Sequence, residues 1–469
     1  VSSPEGNPAG HAVPAAPTIR FFGGTWSALL PFGLFVAGVV TVALSGAPDE
    51  RGFWPILVLS LAAGLLLAKE KRVYCETVIR GMAQPIVMIM ISAWMLASAV
   101  GVLMSDTGLV EGLVWAAGQL RLEGAAFAAA AFLICVAVSV ATGTSFGTIL
   151  ICGPILFPAG GLAGAAPAAL AGAILAGATF GDSVAPISDT TIASALSQDA
   201  DIGGTVRRRL RYVLPAGAVA LAAFALIPGG GAKALQPLAP VAGSPAGLPM
   251  LLVPALIIFL LLRGRHLLEG LLVGLLAGTA LGLALGRLAP GRLLTLDAAE
   301  FTAGSFIIDG IDRAVGISFF TILLMGLVAA VEAGGPLRLI VEAAAAKART
   351  ARSTESWIVG AVSAVVLVTC HSIVAVLTVG PFARRIGEER GVSRYRRANL
   401  LSLSVSTFPF ILPYFIPVIL TANATRSGGP YGIPPVGPLQ AGLFNIYSWA
   451  LLAVLIAALV GGYGRSRDL

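Results

Sequence analysis

The sequence predicts an all-α polytopic membrane protein of about 12 transmembrane helices, arranged as two inverted-topology repeats with broken helices and re-entrant hairpins. Three observations carry this. Of 469 residues, 57% are hydrophobic and 11% charged, with 30 Lys+Arg and 23 Asp+Glu, whereas soluble domains carry about 25% charged residues; mean hydropathy is +0.91. The apolar residues gather in runs long enough to cross hydrocarbon. Several runs are interrupted by Gly-, Ser-, Thr- and Pro-containing breaks, which a membrane helix tolerates when neighbours satisfy the freed backbone groups.

In chain order, residues 1–27 hold Pro4, Pro8, Pro14 and Pro17 without a basic start and apolar core, and read as a disordered cytoplasmic tail, not a signal peptide. An N-terminal helix pair fills 28–81, with apolar runs at 28–44 and 53–68. The first repeat spans 82–200, with runs at 82–104, 124–141 and 168–180. Connecting transmembrane helices fill 201–300, with runs at 206–228, 249–262 and 267–286. The second repeat spans 301–426, with runs at 315–333, 356–370 and 398–424, and a C-terminal helix at 438–460 with a short tail completes 427–469. The pieces at 107–118, 147–158, 190–197 and 373–383 are too short to cross alone and read as half-helices or hairpin arms.

Orientation follows from the basic clusters Lys69–Arg72 with Arg80, Arg207–Arg211, Arg263 with Arg265, Arg384–Arg397, and Arg465 with Arg467, which should face the cytoplasm of a cell membrane. The Gly/Pro-rich stretches Pro228–Pro249 and Ser427–Pro438 hold only Lys233 and Arg-free outer surface is expected of them; both termini then fall inside, and Arg287 and Arg292 outside. Net charge of +7 thus reads as topology, not as a nucleic-acid surface, since no aromatics interleave with the basic residues. Cys75, Cys135, Cys152 and Cys370 lack CxxC spacing, which argues against a disulfide or a zinc site. No cofactor is expected.

The repeat aligns run 86–104, break Thr142–Thr148 and helix 168–195 with 315–333, Thr369–Ser372 and 398–424. The loop between its second and third elements is uncharged in the first copy (Ala159–Ala166) and Arg-rich in the second (384–397), hence the opposite topology.

The densest polar cluster is FGDSVAPISDTT, Phe180–Thr191, bent by Pro186. A carboxylate within the membrane costs at least ~2.5 kcal/mol, so it is a functional candidate. Oxygen-rich breaks can replace water around Na+, and the same carboxylate can accept a proton when the ion leaves. Asp182 and Asp189 are the candidate Na+ ligands, although a capping role at a helix start is also open to them. The second break, VATGTSFGT, offers Thr144 and Ser145; a packing surface of small residues needs the same composition. In the second half Thr369, His371, Ser372, Asn399, Ser402, Ser406 and Asn423 supply neutral groups, with His371 titratable. Asp106, Asp309, Asp312 and Glu342 read as interfacial, Glu332 as an acid worth following, and the Arg207–Arg211 run as a solvated loop. Enzyme signatures such as GxSxG, a phosphate-binding loop or metalloprotease spacing are absent.

SVATGTSFGT (139–148) followed by AGAILAGATFGDSVAPISDTT (171–191) resembles the NhaC-type Na+/H+ antiporter family of the ion transporter superfamily, and VTCHSIVAVLTVGPFARRIGEERG (368–391) is similar to that family's second broken segment. The resemblance covers about 80–440. It implies cation and proton exchange, with Asp182, Ser188, Asp189, Thr190 and Thr191 as ion-site residues and Thr144 and Ser145 opposite. The chain departs from the family in Ser183, Ala185 and the uncharged LSVSTF at Leu403–Phe408, where relatives often carry acidic residues. The family also includes exchangers of organic acids. The expected function is Na+/H+ antiport in a lipid bilayer by alternating access at Asp182. The alternative is Na+- or H+-coupled transport of a small organic solute, a carboxylate or amino acid. A homodimer is common among such transporters, though no segment names an interface.

Overall fold

The computed structural model describes residues 18–45, 50–229, 243–298 and 301–465. Of the expected tail at 1–27, residues 1–17 lie outside the described residues, as do the centre of the outer stretch with Lys233 and Arg467; 18–27 is instead packed chain, with Ile19 and Phe21 buried and the Ile19 N–H donating to the Ala333 carbonyl at 3.0 Å. Among the described residues the fold is helical apart from one short antiparallel hairpin, β1 (Thr295–Asp297) with β2 (Thr302–Gly304), and a single bridge between Phe21 and Ala68. The helices are α1 (Leu30–Leu44), α2 (Trp54–Leu67), α3 (Lys71–Met82), α4 (Pro85–Asp106), α5 (Leu109–Gln119), α6 (Ala125–Thr142), α7 (Ser145–Leu162), α8 (Pro167–Val184), α9 (Asp189–Leu196) and α10 (Ile202–Leu226). There follow α11 (Leu252–Leu262), α12 (Leu267–Ala284), α13 (Phe306–Ala333), α14 (Pro336–Lys347), α15 (Ala351–Thr369), α16 (Ser372–Glu389), α17 (Arg394–Val405), α18 (Ile416–Ala424), α19 (Pro438–Leu443) and α20 (Ile446–Gly461).

Among the described residues 10 helices are long and apolar enough to cross a membrane, or 11 if α17 and α18, bent by 47° at their break, form one span. The chain is thus a polytopic membrane protein, with fewer full spans than the twelve read from sequence. The difference lies in 53–68 and 438–460, whose helices are short of crossing length, and in α7. That helix runs to Leu162, beyond the 147–158 read from sequence, because Pro154 and Pro158 sit inside it instead of ending it. The basic segment 71–82, read as a loop, is the amphipathic α3. Its Tyr74, Thr77, Val78 and Gly81 share one buried face at helical spacing, and Gly81 and Val78 pack against α13 at Ala329 and Gly326.

Two helical hairpins define the centre. The Gly124 N–H donates to the Ala163 carbonyl at 2.8 Å, so α6 starts where α7 ends, and Gly229, just after α10, packs beside Gly124 and Gly164. At the opposite end of α10, Asp201 meets Tyr395 at the start of α17. There Arg396 pairs with Glu355 at the start of α15 (3.2 Å) and Arg397 with Glu388 at the end of α16 (3.1 Å). The 25-residue α10 separates these two ends by about 37 Å. Hairpin α6–α7 therefore opens at one end of the molecule and hairpin α15–α16 at the other. Arg208, stacked 4.1 Å over Tyr395, Arg384, paired with Asp199, and Arg465, paired with Glu355 at 2.8 Å, gather at the second end. At the first end lies the uncharged corner where Gly428 and Ile433 pack against Phe157 and Gly161 of α7.

The two tips share one backbone course. Gly143 (φ 68°) and Cys370 (φ 52°) end α6 and α15 in the left-handed conformation, Thr144 and His371 are extended, and Ser145 and Ser372 begin the next helix. Packing against α8 is close: Gly177 and Gly181, four residues apart on one face, meet α6 at Cys135 and at Val136 and Ser139. Such small-residue stripes are how membrane helices approach. The Ser139 hydroxyl donates to the Ala178 carbonyl at 2.7 Å, fixing α6 on α8. Of the interfacial acids, Asp106 and Asp309 share Arg292 at 2.7 and 2.8 Å.

Candidate functional site

α8 stops at Val184 because Pro186 lacks an N–H and its ring disfavours the helical course before it. The chain restarts as α9 with Ser188 at the cap position and Asp189 in the first turn, where a carboxylate complements the positive helix end. The break thus holds Asp182 on one side and Asp189 on the other. The tip of α6–α7 reaches the same level, with Thr144 capping α7 by accepting from the Gly147 N–H at 3.4 Å. The Ser145 hydroxyl donates to Asp182 Oδ2 at 3.1 Å, and the Ser188 and Thr190 hydroxyls are 3.0 Å apart.

These groups line a cavity of about 60 Å³ together with Cys370, His371, Ser372 and Ile373 of the second tip and with Phe410 and Phe415. That space admits a few water-sized bodies at ~10–15 Å³ each. Asp182 is half-buried and Asp189 exposed. Two kinds of helix end converge here. The N-termini of α7, α9 and α16 favour negative charge, so they stabilise the carboxylates. The carbonyl ends of α6, α8 and α15 favour a cation. Oxygen is the donor type that a hard monovalent cation takes, and Asp182, Asp189, Ser145, Ser188 and Thr190 supply it.

Of the residues singled out in the sequence, Asp182, Asp189, Ser188, Thr190, Thr144, Ser145, His371 and Ser372 line this cavity. Thr191 is buried behind it and accepts from Arg209 at 2.7 Å. Thr369 braces the second tip, its hydroxyl donating to the His371 carbonyl at 3.3 Å. Asn399, Ser402, Ser406 and Asn423 do not line it. Asn399 accepts from Arg209 at 2.9 Å and donates to the Thr205 carbonyl at 3.2 Å. The Ser402 carbonyl receives the Ser406 hydroxyl, the Ser406 carbonyl receives the Ser448 hydroxyl of α20 at 3.0 Å, and the Asn423 amide donates to the Arg313 carbonyl at 2.9 Å. The Asn399 and Asn423 amides are thus turned to neighbouring helices, while the Ser406 hydroxyl is used within its own helix.

Arg209 corrects the reading of 207–211 as a solvated loop. These arginines lie on α10, where Thr205, Arg209, Tyr212, Val213 and Ala216 share the buried face, while Arg207 points outward. Arg209 is 0% exposed and donates to the Ser183 carbonyl (2.9 Å), to Thr191 Oγ1 and to Asn399 Oδ1. Only the spacing within the arginine run could have marked it. Phe410 and Phe415, stacked edge to face at 5.0 Å, were also unread; Pro409 and Pro413 are the signal for the bend that places them.

A family model described as the Na+/H+ antiporter family matches residues 10–226. The Malate-2H(+)/Na(+)-lactate antiporter of Bacillus subtilis is 28% identical over 203 residues, 42% of this chain and 42% of its own length. The Na(+)/H(+) antiporter NhaC of Alkalihalophilus pseudofirmus is 36% identical over 101 residues, 22% of each chain. The match therefore spans less than half the length of these curated relatives. The matched segment holds Thr144, Ser145, the α8–α9 break and Arg209, so the likeness to the Na+/H+ antiporter family covers the first half of the site.

Proposed function

We propose that the protein is a secondary transporter of the cell membrane that exchanges Na+ for H+ by competition at Asp182. In this reading 82–200 and 301–426 are repeats of opposite topology, and the end carrying Arg208, Arg384 and Arg465 faces the cytoplasm. The observation that carries it is the Asp182 carboxylate at a helix break, within hydrogen-bond reach of Ser145 and facing the tips of both hairpins. Na+ bound there replaces its water with Ser145, Ser188, Thr190 and carboxylate oxygens. A proton on the same carboxylate removes the charge that holds the ion, so the two occupants exclude each other. With the tips opening to opposite ends, a rocking movement of one hairpin against the other exposes the loaded site to each side in turn.

The cavity's small volume favours a monatomic ion over an organic anion. One finding favours a second reading, coupled exchange of a small organic acid: the Bacillus subtilis relative, whose name specifies malate and lactate alongside H+ and Na+. Proteoliposomes with a preset proton gradient separate the two. pH recovery on adding Na+ that Asp182→Asn abolishes is the expected result. A folded protein with no response to Na+, Li+ or K+ alone, but with one when malate or lactate is added, moves the function to the second reading. Normal recovery in a well-folded Asp182→Asn protein removes that residue from the mechanism.

A further inference from the structure

The second arms of the two hairpins match in sequence and differ in surroundings. SFGTILICGP (145–154) in α7 and SIVAVLTVGP (372–381) in α16 align without a gap from the tip, and each keeps its proline inside the helix. Ile151 and Ile155 thus correspond to Thr378 and Phe382. Along α16, Val374, Thr378, Pro381 and Arg385 line a groove of about 680 Å³ whose far wall includes Glu332 of α13 and Val341 of α14. This face runs about 16 Å. It begins at Val374, next in the chain to Ile373 of the site cavity, and ends at Arg385, beside the Arg384 that pairs with Asp199. Among the described residues neither the Glu332 carboxylate nor the Thr378 hydroxyl has a hydrogen-bond partner, whereas the hydroxyls of Thr148, Thr179 and Thr421 each donate to the carbonyl four residues back. A polar group left unsatisfied in hydrocarbon is costly, so these two side chains fit a groove that water fills. The matching face of α7 is sealed. Ile151 and Ile155 are 6% and 7% exposed and, with Val100 and Gly101 of α4 and Ile257 of α11, enclose only about 10 Å³, room for one water at most. A Cβ at Gly101 would lie 2.8 Å from Pro154, so α4 rests directly on this arm.

We propose that the groove between α14 and α16 is the passage by which the transported cation reaches the Asp182 site from the arginine-bearing end, and that the α7 face beneath α4 and α11 is the matching passage to the other end, shut in this structure. The barrier between groove and site cavity is the short stretch at Ile373 and Val374, within the first turn of α16. Opening the other passage requires α7 to part from Gly101, and closing the first brings α14 onto Thr378. The inference rests on the proposed exchange of Na+ and H+ and deepens it by naming the two routes and the helix faces that open and close them.

The test uses the full chain in a Cys75→Ser background, the other three cysteines being buried, in inside-out and right-side-out membrane vesicles. The reagents are a charged, membrane-impermeant methanethiosulfonate and an uncharged, lipid-soluble maleimide, and modification is read as added mass. Thr378→Cys should react with the charged reagent from the cytoplasmic side about tenfold or more faster than Ile151→Cys does from either side, since thiol reactivity follows exposure. Thr378→Trp, which fills the groove, should slow the labelling of Ser372→Cys at the tip from that side by about tenfold and slow Na+/H+ exchange with it, while Thr378→Ala leaves both near wild type. A Thr378→Cys protein that reacts only with the lipid-soluble maleimide has a groove open to lipid, and that result overturns the inference. So does equal labelling of Ile151→Cys, or labelling of the tip that Thr378→Trp leaves unchanged. The contrast between Thr378→Cys and Ile151→Cys decides the question even where the Trp variant fails to fold. Labelling of Thr378→Cys from the outer side alone would instead overturn the orientation in the functional proposal, and absence of wild-type Na+/H+ exchange its chemistry; neither alters the contrast between the two arms.

Discussion

Gly181→Ala tests whether the α6–α8 crossing is what holds the first tip against Asp182. A Cβ at Gly181 would lie 2.7 Å from the Val136 carbonyl oxygen and 2.9 Å from Ser139 Oγ, and would also collide with Ser139 Cβ. Ordinary contact begins at 3.4 Å, so α6 must retreat by at least about 0.7 Å. Two hydrogen bonds depend on that position. The Ser139 bond to Ala178 is made at the point of collision, and the Ser145 bond to Asp182 is already 3.1 Å long. A further 0.7 Å carries the second beyond hydrogen-bonding distance. Overpacking of this kind costs about 1–3 kcal/mol, and the lost Ser139 bond adds about 0.5–1.5 kcal/mol. Loss of the Ser145 bond leaves Asp182 without that hydroxyl donor, so exchange should slow as well. Melting of the detergent-solubilised protein, with the exchange rate in proteoliposomes, measures both effects. Gly360→Ala is the control: it lies within α15, and an added Cβ meets nothing within 4 Å. Removing a helical glycine there should be neutral or stabilising by up to about 1 kcal/mol. If Gly181→Ala melts and transports like Gly360→Ala, the crossing is not the restraint described.

Two further predictions concern the ends and tips of the second hairpin. Glu355 and Arg396 are both 2% exposed in their side chains, so Glu355→Ala leaves a buried guanidinium unpaired and should destabilise by about 3–5 kcal/mol. Arg465, 31% exposed, is the outer partner of the same carboxylate, and Arg465→Ala should cost about 1 kcal/mol or less; equal melting shifts for the two variants would show that the inner pair is not the one that matters. At the tips, Cys370→Gly should be more stable than Cys370→Ala by about 1 kcal/mol, because Cys370 is left-handed where an L side chain is strained. At Gly143, the tip of the first hairpin, the same order holds between glycine and alanine, since Gly143→Ala is strained and also meets Ile187 Cγ1 at 2.6 Å. Thermal melting of the three variants checks both orders.

Composition and run length carry the fold class, because hydrocarbon imposes a length on every crossing segment. They also carry the breaks, since Pro186 and the Gly143–Thr144 pair mark where a helix stops whatever surrounds it. What they do not carry is helix phase. Asp182, Ser188 and Ser145 were legible because the break itself aims them at one another. Asn399, Ser402, Ser406 and Asn423 sit within or beside helices, where a turn of about 100° per residue decides whether a hydroxyl or amide meets the cavity; here the two amides meet carbonyls of other helices and the Ser406 hydroxyl a carbonyl of its own. The same phase argument hid Arg209. A run of four arginines at 207–211 has the composition of an inside loop, yet all four lie on α10 and only Arg207 is exposed. Counting from Thr205 in steps of four, three and one selects Arg209, Tyr212 and Val213 as the buried stripe of α10, and that stripe delivers a cation to the one helix break that carries two carboxylates. Polar residues at breaks therefore reveal where a membrane site is, while a residue that braces the break can lie on a regular helix and becomes visible only when the apolar stripe is phased through the basic cluster.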